Sequence, residues 1–202
     1  MFSALLLLVA AVASPPPGFD STGHCADCGL GCHHTSLWPL GFSERGVFAY
    51  LLREDSDPLP RWRLVYQSLV TDEPVAQAAI EDPEGDLGRD AALAALDEAI
   101  QGAPTVERPS TLPTGPFPLE HGGDVYSALS SELGMQLRSQ LRDRDKRIGG
   151  HEVAAVLGWV RSPHEERIAV VAARAQPGFE GTVQCEIEVV GASLTAGWGA
   201  AP

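Results

Sequence analysis

The stretch Gly181–Val190 alternates almost without interruption. Val183, Cys185, Ile187 and Val189 fall on one side of an extended chain, and Thr182, Gln184, Glu186 and Glu188 on the other. Successive strand side chains point to opposite faces, so this period of two describes a sheet with one buried and one wet face. Cys185 is therefore expected to point inward. Glu152–Val160 and Arg167–Arg174 read as two more strands. So do Gly46–Leu52 and Arg61–Val70, which form a hairpin across the turn-like Asp55–Pro60. In the second of these, Trp62, Leu64, Tyr66 and Val70 share a face, and Arg61, Arg63 and Gln67 lie mainly on the other. Residues 124–142 are ambiguous. Leu129, Leu133, Leu137 and Leu141 recur every four residues, as in a helix, yet Met135 and Leu137 alternate with Gln136 and Arg138. The alternation favours strands, followed by a solvated charged turn at Arg142–Arg147.

The middle of the chain differs. Asp72 to Glu98 holds nine acidic residues and one arginine. Leu93, Leu96 and Ile100, backed by Ala92 and Ala99, form an apolar helical stripe. Asp86 is the expected N-cap, and Gly102 with Pro104 ends the helix. Residues 103–123 read as a Pro/Gly-rich connection. The expected fold class is α+β: a mainly antiparallel β-sheet with an acidic helical insertion at about residues 72–123, in one domain spanning 37–202.

Residues 1–13 read as an export signal. Leu5–Val12 is apolar, Ala11-Val12-Ala13 is a small-x-small cleavage site, and Pro15–Pro17 stops any helix behind it. The run is too short to cross a bilayer, and no other stretch reads as transmembrane. The expected location is periplasmic or extracellular. Residues 14–36, rich in Cys, Gly and Pro, show no periodicity and read as an extended, cross-linked lead-in. They hold three of the four cysteines, Cys25, Cys28 and Cys32, followed at once by His33 and His34. In an oxidising compartment Cys25, Cys28, Cys32 and Cys185 are disulfide candidates, with one local bridge closing the Cys25–Cys32 segment and the other stapling the lead-in to the strand of Cys185. The alternative is zinc held by Cys25, Cys28, Cys32 and His33 or His34, because thiolates and imidazoles suit a tetrahedral site. No other cofactor is expected.

Gly41–Leu52 and Val160–Val171 echo one another. Each begins at a serine-bearing turn, Ser43 or Ser162, and runs into an apolar strand containing alanine. Phe42, Ser43 and Gly46 resemble the start of a blade strand in TolB-like and WD-type propellers, a likeness of local hairpin style. Trp38–Ser43, Phe48–Tyr50, Ser162–Glu165 and Gly178–Gly181 are similar to a group of predicted secreted bacterial proteins, which implies an exported protein and no particular chemistry.

No assembled catalytic motif stands out, and no catalytic residue is assigned. His151-Glu152 and His164-Glu165-Glu166 begin like a zinc-protease helix but lack the second histidine four residues on. Asp55, Asp57, Glu81, Asp82, Glu84 and Asp86 match no calcium loop. His121–Asp124 reads as a turn before a strand. Trp38, Trp62, Trp159 and Trp198 are expected in the core. A net charge of −13 repels nucleic acid. The expected function is a non-enzymatic binding or structural protein of the cell envelope, with an unassigned protein or small-molecule partner. The zinc protein is one alternative, and a small hydrolase using His164 and Glu165 is another. A pocket of converging histidine and carboxylates with shifted pKa values would favour an enzyme.

Overall fold

The computed structural model describes residues 18–25, 32–55, 59–132 and 134–198. The export signal, Cys28, Asp57 and Leu133 lie outside the described residues. Thirteen strands occur among them: β1 (Phe19–Asp20), β2 (Cys32–Phe42), β3 (Val47–Glu54), β4 (Arg61–Ser68), β5 (Pro74–Glu81), β6 (Thr114–Gly115), β7 (Leu119–His121), β8 (Asp124–Ser131), β9 (Gly134–Ser139), β10 (Arg144–Arg147), β11 (Ala155–Arg161), β12 (Arg167–Pro177) and β13 (Val183–Ser193). One helix, α1, spans Arg89–Ala99.

Nine strands form one sheet in the order β5-β4-β3-β2-β13-β12-β11-β6, with β1 added beside β2. It consists of two antiparallel meanders, β2–β5 and β11–β13, joined where β13 runs parallel to β2 over Val183–Cys185 and Cys32–His34. The meanders fold over one another. Phe48, Tyr50 and Val65 of the first pack with Val160, Val171 and Val189 of the second. The outer face of the first meander, with Leu51, Trp62 and Leu64, is covered by Ala92 and Leu96 of α1. The outer face of the second, with Ile168, Val170 and Val190, is covered by Tyr126, Met135 and Leu137 of a small sheet ordered β10-β9-β8-β7. The central strands β3 and β12 are thus covered on both sides. This explains why Val47–Leu52 and Ile168–Ala173 are apolar without alternation: neither face of either stretch meets water.

The α+β expectation is overturned. Strands take up 53% of the described residues and helix 8%. The expected helical insertion reduces to α1. Pro74–Glu81 is instead the fifth strand of the main sheet, in register with β4 from Arg61↔Glu81 to Tyr66↔Ala76. Its alanines favour helix locally, but cross-strand pairing and burial of Ala76, Ala78 and Ile80 against the helix layer prevail. The N-cap is Gly88 and makes no side-chain cap bond, so Asp86 does not cap the helix. The buried Asp82 ties the approach to the helix, accepting from Leu87 N–H at 3.2 Å and Trp62 Nε1–H at 3.4 Å.

Two other stretches differ from expectation. The aperiodic lead-in is strand at both described ends: Phe19 and Asp20 pair with Leu37 and Ser36, and β2 begins at Cys32. The charged turn at Arg142–Arg147 is largely strand, since Arg144–Arg147 form β10 and pair with β9. Lys146 there is buried. Its ammonium donates to the carbonyls of Ser193 and Ala196 and lies 4.5 Å from the Trp198 ring centroid. Burial pulls its pKa down to about 8. The expected strands over residues 124–142 are present as β8 and β9.

Candidate functional site

The cysteine cluster is a staple. Cys25 is bonded to Cys185 across a sequence separation of 160, with Cα atoms 5.9 Å apart. Cys185 is fully buried, as the alternation of β13 requires. Ser21 reinforces the junction: its hydroxyl donates to the Cys185 carbonyl at 2.8 Å and accepts from Thr35 N–H at 2.8 Å. Cys32 is also disulfide-bonded. Cys25 and Cys32 therefore offer no thiolate to zinc. His33 and His34 are successive residues of β2 and point to opposite faces. His33 Nδ1 donates to the Asp55 carbonyl at 2.7 Å. His34 Nδ1 is buried without a hydrogen-bond partner. Among the described residues, no group of three or more His, Cys, Asp or Glu is placed to hold a metal.

A polar cleft of about 300 Å³ lies where the β11–β12 turn meets the β7–β8 turn. Arg161 can only donate, and its Nη1 is 2.5 Å from His121 Nδ1. That nitrogen must accept, which puts the proton on Nε2, where it is donated to Glu166. The expected hydrolase pair lies on the rim, but its members turn to different partners. His164 Nε2 is 3.6 Å from Glu107, while Glu165 Oε1 is 3.4 Å from Arg167 Nε. Glu165 also crowds Gly46, where a Cβ would come within 2.6 Å of its Oε1. The two echoed serines have the same local task. Ser43 Oγ accepts from Arg45 and Val47 N–H, and Ser162 Oγ from His164 N–H, so each fastens its own hairpin turn.

Sequence reasoning missed a groove of about 360 Å³ where β13 parts from β2. Beyond Cys185, β13 loses its strand neighbour on this side, and side chains satisfy its backbone instead. Gln67 Nε2 donates to the Val189 carbonyl at 2.7 Å, and Asp72 Oδ1 accepts from Gly191 N–H at 2.6 Å. Tyr50 donates to Gln67 Oε1 at 2.6 Å and orients the amide. Gly191 is required here, because a Cβ would sit 2.0 Å from the Leu69 carbonyl oxygen. Asp72 adopts φ of 59°, a left-handed conformation that costs a non-glycine residue energy. Its carboxyl is raised above the ordinary value by desolvation, which the Gly191 bond and Arg167 only partly offset. Glu188 is raised too, first by burial and further by Asp72, with His151 and Arg174 opposing. Its Oε2 is buried without a hydrogen-bond partner. No local pattern announces the groove, since its polar contacts join residues as far apart as 122 positions.

In comparisons with known proteins, no protein-family model, no curated protein and no solved structure matches this chain.

Proposed function

We propose that the chain is an exported protein of the cell envelope that works by binding or by a structural role. The Cys25–Cys185 disulfide carries this reading. A buried bond joining the lead-in to the last strand suits an oxidising compartment, where thiols pair and stay paired. The signal-like residues 1–13 support it, and the disulfide-bonded state of Cys25 and Cys32 favours it over zinc. The test is fractionation of cells expressing the full chain, with a count of free thiols before and after reduction. Recovery outside the cytoplasm with the cysteines oxidised is the expected result. A cytoplasmic, fully reduced protein defeats the reading.

A second reading is favoured by one observation: Asp72, Glu188 and His151 converge on one groove, and both carboxyls are raised. A carboxyl that holds its proton more tightly than usual is suited to act as a general acid. A hydrolase of this kind would use the groove rather than His164 and Glu165. Hydrolysis of glycoside or ester substrates that vanishes in Glu188→Gln, and that in the parent falls as pH rises through the raised Glu188 pKa, would establish it. Unchanged turnover in that variant would remove it. Asp72 and Gln67 already have a structural use along β13, so binding remains the first reading.

A further inference from the structure

Sheet edges expose unpaired N–H and C=O groups, and proteins usually guard them. Most edges here are guarded. The outer strand β6 has two residues and β7 has three. β10 has four residues, Arg-Asp-Lys-Arg, all charged. The open side of β13 is closed by Gln67 and Asp72. β5 is the exception. It is eight residues long, ends the main sheet, and has no charge between Pro74 and Ile80. Pro74 and the register shift at Tyr66/Gln67 guard only its first residues.

The register shows which groups face outward. Asp82 N–H donates to the Pro60 carbonyl at 2.8 Å, so the pairs Trp62↔Ile80, Leu64↔Ala78 and Tyr66↔Ala76 are the hydrogen-bonded ones. The N–H and C=O groups of Gln77 and Ala79 therefore point away from β4, toward an open edge. Ala76, Ala78 and Ile80 are only partly buried against the helix layer, so another strand would extend that layer. Val75 is 51% exposed, and Val70, in the preceding turn, is 64% exposed.

The charge around this edge selects the partner. Glu73 precedes β5, Glu81 closes it, and Glu84 and Asp86 follow; all are exposed and make no ion pair among the described residues. A second copy pairing antiparallel about the middle of β5 would bring Glu73 of each chain near Glu81 of the other, and like charges across a strand pair are unfavourable. We infer that β5 accepts an extended peptide segment as an added antiparallel strand, with apolar or small residues in its middle and lysine or arginine at both ends. This rests on the binding reading above and names its partner by chemistry. Backbone hydrogen bonds supply the affinity, and the acidic flanks supply the selection.

The test uses the full mature chain, isotope-labelled, and a synthetic peptide of β5's length with alternating valine and threonine and lysines at both ends. A control peptide carries glutamates in place of the lysines. The expected result is slowed amide exchange at Gln77 and Ala79 with the lysine peptide, and affinity at least about tenfold weaker for the glutamate peptide and at high salt. Ala79→Pro removes an outward N–H and no bond to β4, so it should abolish binding while the unfolding midpoint stays near that of the parent. Gln77→Lys, which keeps the backbone intact, should weaken the lysine peptide at least about fivefold. Equal binding of both peptides, no binding of the lysine peptide, or loss of none of it in either variant overturns the proposal. Self-association by sedimentation that Ala79→Pro abolishes overturns it in favour of a second copy. If the peptide fails while fractionation still finds an exported, oxidised protein, the partner is wrong and the binding reading survives.

Discussion

The two meanders of the main sheet use the same plan and meet different fates. Each centres on a strand that is apolar on both faces, β3 or β12, entered through a serine-fastened turn. The second is sealed: the small sheet covers its outer face, and its β11 edge is closed by β6 and by Arg161 N–H donating to the Pro113 carbonyl. The first has one short helix over its outer face and ends in the bare strand β5. Similar strands can thus be core or interface, and what arrives to cover them decides which.

The largest effect should come from the layer both meanders share. Phe48→Ala should cost about 4 kcal/mol, because a fully buried ring is replaced by a cavity. Urea unfolding should show one transition at a lower midpoint; two separate transitions would mean that the halves are independent. The seam comes next. Cys185→Ser should cost about 3 kcal/mol by freeing a long loop in the unfolded chain, and reducing the parent protein, which also opens the bond of Cys32, should lower its thermal midpoint at least as much. Leu96→Ala should cost about 2–3 kcal/mol. Its signature is local: amide exchange should quicken in β4 and β5 while β12 keeps its protection, and equal loosening of both would break the contrast.

Glu188→Gln should act in the opposite direction. The folded pKa of Glu188 is raised, so folding favours its protonated form and the charged form is a burden at neutral pH. The burden grows as pH rises from the unfolded value, near 4.5, through the raised folded value. The variant should melt higher than the parent at pH 7, and the gap should close on acidification to pH 4. A gap independent of pH would show that the carboxyl is not the cause. The smallest effect belongs to the bare edge: Val75→Thr should change stability by no more than about 0.5 kcal/mol, since Val75 packs against little in the isolated chain.

The elements legible in the sequence were those whose pattern repeats within one strand or helix. The alternation of Val183, Cys185, Ile187 and Val189 announced β13 and the inward cysteine. Leu93 and Leu96 announced α1. The acidic background hid β5, because Val75–Ile80 is half alanine and alternates weakly. β2 was hidden where its first residues, Cys32 to Ser36, look like the end of a cysteine-rich lead-in. Gln67 read as a wet-face residue, yet it is almost fully buried and bonded to Tyr50 and Val189.

Local composition by itself determined that this chain would build sheet, that Cys185 would face inward, and that acidity would concentrate between Asp72 and Glu98. These follow from side-chain periodicity and charge, which act over a few residues. Only the tertiary structure decided that Cys25 is the partner of Cys185, that β5 ends the sheet with an unpaired edge, and that Asp72, Glu188 and His151 line one groove. Each depends on strands distant in sequence coming side by side, and the order of strands in a sheet is set by the packing of whole layers.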